Sequence, residues 1–407
     1  MSRPASSQWT EGRFDIGEMS FPYYFGSHCL DRVVAELAQY DADLLVVVTD
    51  DTVARLHGDV VFPALAAAAP LHVFSRPPGE GMKTIGTVQD CLDAAVAAGS
   101  TRRSVVVSFG GGVPGNVAGT VAGLLYRGVR LVHLPTTTVA ATDSVLSLKQ
   151  AVNGQSGKNH FGLYRRPEAV YVDVALLRTL PDRELRSGLC EFAKNALAIH
   201  PALLAPLRER LRAGMPREPE MLLWMIEASL AAKHAVMRQD AYEQSTGLVL
   251  EYGHTVGHAV ELCAARRRGV PSIAHGEAIA LGALVAARVS AVLGHLDKEA
   301  VGVHEELLGL LGVRERVSAD LPRAEILAAL RKDSKRGYLD LGADEAAFVL
   351  LRALGQPLGD RDRPLMPVPL GLVAEVLDEL GIGKRGALGL SGADGDEPGH
   401  PEVEEFN

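Results

Sequence analysis

Leu248–His258 reads LVLEYGHTVGH, with Glu251 three residues ahead of His254 and His258 four residues after it. Residues three and four apart share one face of an α-helix. The spacing therefore predicts one helix aiming a carboxylate and two imidazoles at a single point. Ala274-His275-Gly276-Glu277 follows, and His275 opens the apolar run that ends near Gly294. That run predicts a second helix whose start lies beside the same point if the two are antiparallel neighbours. Two or three imidazoles with a carboxylate form a donor set for a divalent, zinc-like ion. Two half-buried histidines on a partly apolar helix give the same pattern, so the rest of the chain must decide. Gly253 and Gly257 favour a site: each costs about 1 kcal/mol relative to Ala in a helix, and the pair predicts something pressed against the backbone.

The 407 residues are enough for two ordinary domains. No run of eighteen uncharged apolar residues occurs, so no transmembrane span is expected. The N-terminal MSRPASSQWTEGRFD lacks the apolar core of an export signal. Cys29, Cys91, Cys190 and Cys263 are far apart and form no CxxC, as suits reduced thiols in the cytoplasm. The net charge is -9 with scattered basic residues, which argues against nucleic acid as a partner. Arg266–Arg268 is the one dense basic cluster, placed to cap the C-terminal end of the histidine helix.

Residues 1–14 read as a disordered leader. LLVVVTD from Leu44 has the pattern of a buried parallel strand with Asp50 at its tip. Such an acid can hydrogen-bond a nucleotide ribose or cap the following helix, and the residues alone favour the cap. After a second strand, LHVFS, come Glu80 and Lys83 in a loop. A third strand, SVVVSF, runs into Gly110-Gly111-Gly112-Val113-Pro114-Gly115-Asn116 and then an apolar helix. This is GxGxxG in the strand–turn–helix context that cradles a pyrophosphate on backbone N–H groups. No acid follows about twenty residues on, which leaves the upstream Asp50 as the ribose ligand. A fourth strand leads to Thr136 and Thr137, then to a polar passage holding Asp143, Lys149, Lys158 and Asn159. These are either surface groups on a turn or a lining in which lysines meet phosphate and hydroxyls.

From Asp182 to about Leu380 the chain reads as successive helices. Glu191 and Lys194 stand at i, i+3 among apolar neighbours, which favours a buried pair over a surface one. Lys233 by itself would be placed on a surface, and Lys335 lies in a basic loop, Lys332–Tyr338. The fold class that follows is α/β with a parallel sheet over residues 15–180, then an all-α domain over 181–385. An acidic tail, rich in Gly and Pro and expected to be disordered, runs over 386–407.

GGGVPGNVAG, VHLPTT, SLKQAVN, SGKN, GLCEFAKNALA, LEYGHTVGHAVE and AHGEAIALG occur in this order. Together they resemble the sugar phosphate cyclases, the dehydroquinate synthase superfamily, from about Phe21 to Leu380. SVLSLKQAVN, Glu251, KRGYL after Asp333 and the segment MPVPLGLVAEVLDEL resemble most the branch that converts glucose 6-phosphate to the carbocycle of 2-deoxystreptamine aminoglycosides. The resemblance implies NAD and a divalent metal, zinc or cobalt, as cofactors, with the site between the domains, and a homodimer. It places Asp50, Glu80, Lys83, Gly111, Gly112, Asn116, Thr136, Thr137, Lys158 and Asn159 on NAD-contacting positions. Asp143 and Lys149 serve both nicotinamide and substrate. Glu191, His254 and His275 fall on metal-ligand positions, and His258 moves to a substrate position with Lys194, Lys233 and Lys335. Lys149 and Glu251 are the implied catalytic pair.

Relative to dehydroquinate synthase, Glu251 stands for an asparagine and Gly247 for a substrate-binding arginine, which implies a neutral hexose phosphate rather than an acidic substrate. Asn116 stands for an aspartate in the glycine-rich turn. The implied chemistry is oxidation at C4, loss of the C6 phosphate after C5 deprotonation, return of hydride, and an intramolecular aldol closure. Other cyclases of the superfamily, a metal-dependent polyol dehydrogenase and a non-catalytic partner subunit stay open as alternatives. Net NADH formation separates the dehydrogenase from a cyclase.

Overall fold

Runs of β-branched residues with no polar face build the sheet of the first half. The computed structural model describes residues 9–382 apart from 156, 216, 267–272, 314–320 and 361. Its first strands are β1 (Trp9–Ile16), β2 (Met19–Gly26), β3 (Leu45–Asp50), β4 (Leu71–Arg76), β5 (Val105–Gly110) and β6 (Arg130–Pro135). A hairpin of β7 (Lys149–Gly154) and β8 (Gly157–Tyr164) follows, then β9 (Ala169–Asp173). Helices α1 (Leu30–Ala38), α2 (Asp51–Ala66), α3 (Ile85–Ala97), α4 (Gly112–Leu124), α5 (Thr138–Thr142) and α6 (Val174–Leu177) alternate with them.

The sheet has seven strands in the order β1-β2-β9-β6-β5-β3-β4, parallel except for the β1–β2 hairpin. Leu45 and Val47 of β3 pack in one core and Val46 and Val48 in another, so both faces are covered. That is why the strand carries no polar alternation. The chain goes outward from β3 to β4 and returns on the other side of β3 as β5. This reversal opens a crevice at the carboxyl ends of β3 and β5, the place where open α/β sheets bind ligands.

The second half holds α7 (Asp182–Ala198), α8 (Leu204–Arg212), α9 (Pro219–Met237), α10 (His254–Ala265), α11 (His275–Val292), α12 (Lys298–Leu310), α13 (Arg323–Leu330) and α14 (Leu370–Glu379). Two expectations need correction. Trp9–Phe14, placed in the leader, is strand: β1 pairs with β2 through its length and Phe14 packs on Phe21, 5.5 Å between rings. The helical half also carries short strands, β10 (Glu345–Phe348), β11 (Leu351–Ala353), β12 (Gln356–Pro357) and β13 (Met366–Pro369). Ala346–Leu351 is wholly buried, and a short apolar run of this kind does not reveal by periodicity whether it is strand or helix. Residues 1–8 and the acidic tail lie outside the described residues.

The β1–β2 hairpin also grips the helical half. Asp15 pairs with His234 at 3.0 Å and Gly17 N donates to Met237 O at 2.9 Å, while Tyr23 OH donates to Ala141 O of α5 at 2.6 Å within the first half.

Candidate active site

The stretch Leu248–His258 is not one helix. Thr246–Glu251 forms a 3-10 turn, Gly253 takes a left-handed backbone (φ +81°), and α10 starts at His254. Glu251 and His254 still reach the same space, because the left-handed glycine turns the chain between them. The neighbour pressed on the backbone is α11, which runs antiparallel to α10. A Cβ on Gly253 would lie 2.5 Å from Ile279 O, and one on Gly257 2.9 Å from Ala278 O. Neither a metal nor a substrate explains these glycines. Of the basic cluster, Arg266 occupies the C-cap of α10, and Arg267 and Arg268 lie outside the described residues.

That close packing brings three imidazoles together. Ligating atoms of His254, His258 and His275 lie within 4.8 Å of one another. Glu191, wholly buried on α7, points its Oε1 at His275 Nε2 (3.5 Å) and His254 Nε2 (4.0 Å). Neither Glu191 oxygen accepts a hydrogen bond, although Lys194 Nζ stands 2.8 Å from Oε2. One buried carboxylate oxygen, Oε1, that accepts no hydrogen bond and faces two imidazole nitrogens fits a divalent cation, with Lys194 paired to the other oxygen. His254 Nδ1 lies 3.3 Å from the Tyr252 carbonyl, which can only accept, so Nδ1 is the donor and Nε2 stays free to ligate. Burial pushes His254 and His258 down to about 3, with neighbouring charge contributing, which keeps both neutral as ligation requires. Glu191, His254 and His275, which the resemblance implies as ligands, thus lie together, and His258 lies within the same reach.

Cations and carboxylates surround this cluster. Lys335 Nζ contacts Glu251 Oε2 (3.4 Å) and Asp333 Oδ2 (3.1 Å). Lys194 donates to Leu250 O at 2.9 Å, and Lys233 to the Asp143 carboxylate at 3.0 Å. Lys149 Nζ pairs with Glu243 Oε2 at 2.9 Å. Burial alone would raise the Glu251 carboxyl, but the cationic groups around it hold it well below the ordinary range. With the His254 ring neutral, Lys335 and Lys149 supply that charge. Burial disfavours charge on Lys149 too, yet Glu243 and then Glu251 raise it above an ordinary lysine. Glu251 is therefore a carboxylate and Lys149 an ammonium at neutral pH. Lys233, placed on a surface by its local sequence, is in fact buried.

The crevice between β3 and β5 holds the remaining residues. Asp50 caps α2, with Oδ1 accepting from Thr52 N and Val53 N at 3.0 Å each. Gly110 has φ +154°, and a Cβ there would lie 2.8 Å from Pro114 Cγ, so the turn requires glycine. Gly111 and Gly112 open α4, and Thr137 caps α5 next to Gly111. Asn116 ties α4 to the hairpin, its Oδ1 accepting from Ala151 N at 3.0 Å. Lys83 donates to Asn159 Oδ1 at 2.6 Å, and Lys158 stands 3.6 Å from Glu80. The N-terminus of α4, with no side-chain cap and a glycine turn before it, suits a pyrophosphate, so the crevice fits a dinucleotide.

Comparison with known proteins agrees with this geometry. The 3-dehydroquinate synthase N-terminal family model matches residues 73–187 and the 3-dehydroquinate synthase C-terminal model residues 188–336. A 2-deoxy-scyllo-inosose synthase of Streptoalloteichus tenebrarius is 48% identical over 90% of this chain and 94% of its own. That of Niallia circulans is 36% identical over 89% and 98%. This chain belongs to the 2-deoxy-scyllo-inosose synthase family. A solved family structure, complexed with carbaglucose-6-phosphate, NAD+ and Co2+, is 34% identical with a TM-score of 0.84, covering 91% of this chain and 99% of that one. A 1,3-propanediol oxidoreductase structure, 14% identical with a TM-score of 0.64, shares the fold alone.

Three acids that contact the site, Glu261, Asp333 and Glu243, are not among the residues the sequence points to. Glu261 lies three residues beyond His258 on the same helix face, a period that could have found it. Asp333, at the N-cap of the Lys335 turn, is masked in the sequence by the basic residues around it. Glu243 sits in a loop with φ +53° and offered no periodic signal.

Proposed function

We propose that this chain converts D-glucose 6-phosphate to 2-deoxy-scyllo-inosose with release of phosphate, the carbocycle-forming step of 2-deoxystreptamine aminoglycoside biosynthesis. Family membership supports the reaction type, and the neighbourhood of Glu251 carries the substrate. Gly247 N donates to Asp240 Oδ2 at 2.9 Å, and a Cβ on Gly247 would lie 2.8 Å from that oxygen. The position implied to hold an arginine in the acid-binding relative is packed shut, and Glu251 adds negative charge nearby. A substrate carboxylate would meet repulsion there instead of a clamp.

Glu191, His254 and His275 would hold a zinc or cobalt ion, and Asp50, the Gly110–Gly112 turn, Asn116, Thr136, Thr137, Lys83, Lys158, Asn159 and Glu80 would line the NAD site. When bound, NAD supplies reversible oxidation at C4 and the ion supplies Lewis acidity at that oxygen. Glu251, ionised, enters the cycle as a proton acceptor for the elimination step. Lys149, held charged by Glu243, donates to a substrate oxygen and orients it rather than taking a proton. Lys194, Lys233 and Lys335, with His258, present donors to hydroxyl and phosphate oxygens, and Asp143 keeps Lys233 in place.

Purified chain with NAD and cobalt should release phosphate from glucose 6-phosphate in step with a carbocyclic ketone, with no net NADH. Phosphate release only from a heptulose phosphate, or steady NADH accumulation, would replace this assignment by another cyclase or by a polyol dehydrogenase. The four buried free cysteines support a cytoplasmic setting, and a homodimer completes the proposal.

A further inference from the structure

Glu261, on α10, faces both halves of the molecule. Its Oε2 lies 3.3 Å from His275 Nδ1 and its Oε1 accepts from Lys158 Nζ at 2.7 Å. A carboxylate can only accept, so His275 Nδ1 carries the proton and Nε2 is left facing Glu191. Lys158 belongs to the β7–β8 hairpin, which also reaches the turn before α3 through Glu80 and through the Asn159–Lys83 bond. One side chain thus holds a ring of the metal set with one oxygen and the cofactor-side hairpin with the other.

We propose that Glu261 energetically couples divalent-metal binding to dinucleotide binding. The proposal rests on reading His275 as a ligand and Lys158 as a cofactor-side residue. Whichever ligand binds first orders the shared carboxylate, so the second meets it already in place. Linkage makes the effect equal in both directions. A purely structural ion pair would change folding stability and leave each ligand's affinity indifferent to the other.

The test uses the full chain with cobalt, followed by its visible absorption, and NAD, followed by calorimetry. Wild type should bind NAD about 5–150-fold more tightly with cobalt present than without it, the usual range for coupled sites. Glu261→Ala should weaken cobalt binding about 10–100-fold without NAD, as loss of an outer carboxylate does, and should make NAD affinity independent of cobalt. Glu261→Gln keeps an acceptor for His275 but loses the charge on Lys158. It should hold cobalt about as wild type does while the coupling collapses, and it carries the test if the alanine variant does not fold. Undiminished cobalt affinity in Glu261→Ala overturns the proposal, as does NAD affinity in wild type that ignores cobalt. His275→Ala separates the two readings: lost cobalt binding supports the ligand assignment, and retained binding overturns that assignment and the proposal with it.

Discussion

At the scale of single residues, Glu251 matters through its neighbours. Its charge is stabilised by lysines that do not move with it, so substitution by the neutral isostere changes chemistry more than shape. Glu251→Gln should keep cobalt and NAD affinity and lose about 10²–10⁴-fold in kcat, the range for a positioned acid/base group. Loss of cobalt binding in that variant would place Glu251 among the ligands instead. The residue types here were legible because each chemistry calls for particular groups: histidines for the ion, lysines for phosphate, glycines for the dinucleotide turn. Their exact partners were not. Lys149 and Glu243, 2.9 Å apart, meet only through folding of a loop, and no local pattern announces such a meeting.

At the scale of elements, the α10–α11 contact decides whether there is a metal site at all. A Cβ on Gly282 would collide with Gly253 O and lie 2.8 Å from Gly257 N. Gly282→Ala should therefore destabilise by about 1–3 kcal/mol or more in urea unfolding, and should cost cobalt affinity by forcing His254 away from His275. Gly302→Ala on α12, where a Cβ meets nothing within 4 Å, should stabilise by about 0.4–1 kcal/mol in the same measurement. If both variants behave alike, close helix approach is not what the glycines serve. The parallel strands were readable because burial on both faces leaves an unbroken apolar run. The turn before His254 was not, since a spacing of three suits a helix as well as a 3-10 turn followed by a left-handed residue.

At the scale of the whole molecule, buried histidines set the acid limit. Burial pushes His133, which contacts Ser108 Oγ at 2.6 Å, down to about 4 from 6.5, and desolvation brings His304 to about 4 as well. Between those values the unfolded chain binds more protons than the folded one. Stability should thus fall as pH drops from about 6.5 toward 4, by up to roughly 3 kcal/mol for each fully buried ring. Urea unfolding at pH 7 and pH 5 measures the slope, and His133→Asn, which cannot take the proton, should flatten it. An unchanged slope would mean that other groups govern acid sensitivity.

The β1–β2 hairpin has a temporal consequence. Its parallel partner, β9, begins at Ala169, and its anchor on α9 lies at Met237. The buried rings of Phe14, Phe21, Tyr23 and Phe25 are therefore synthesised well before the strand and helix that cover them. At about 5–20 residues per second the wait is on the order of ten seconds or more. During that interval the apolar face of the hairpin and the free edge of β2 stay uncovered on the nascent chain.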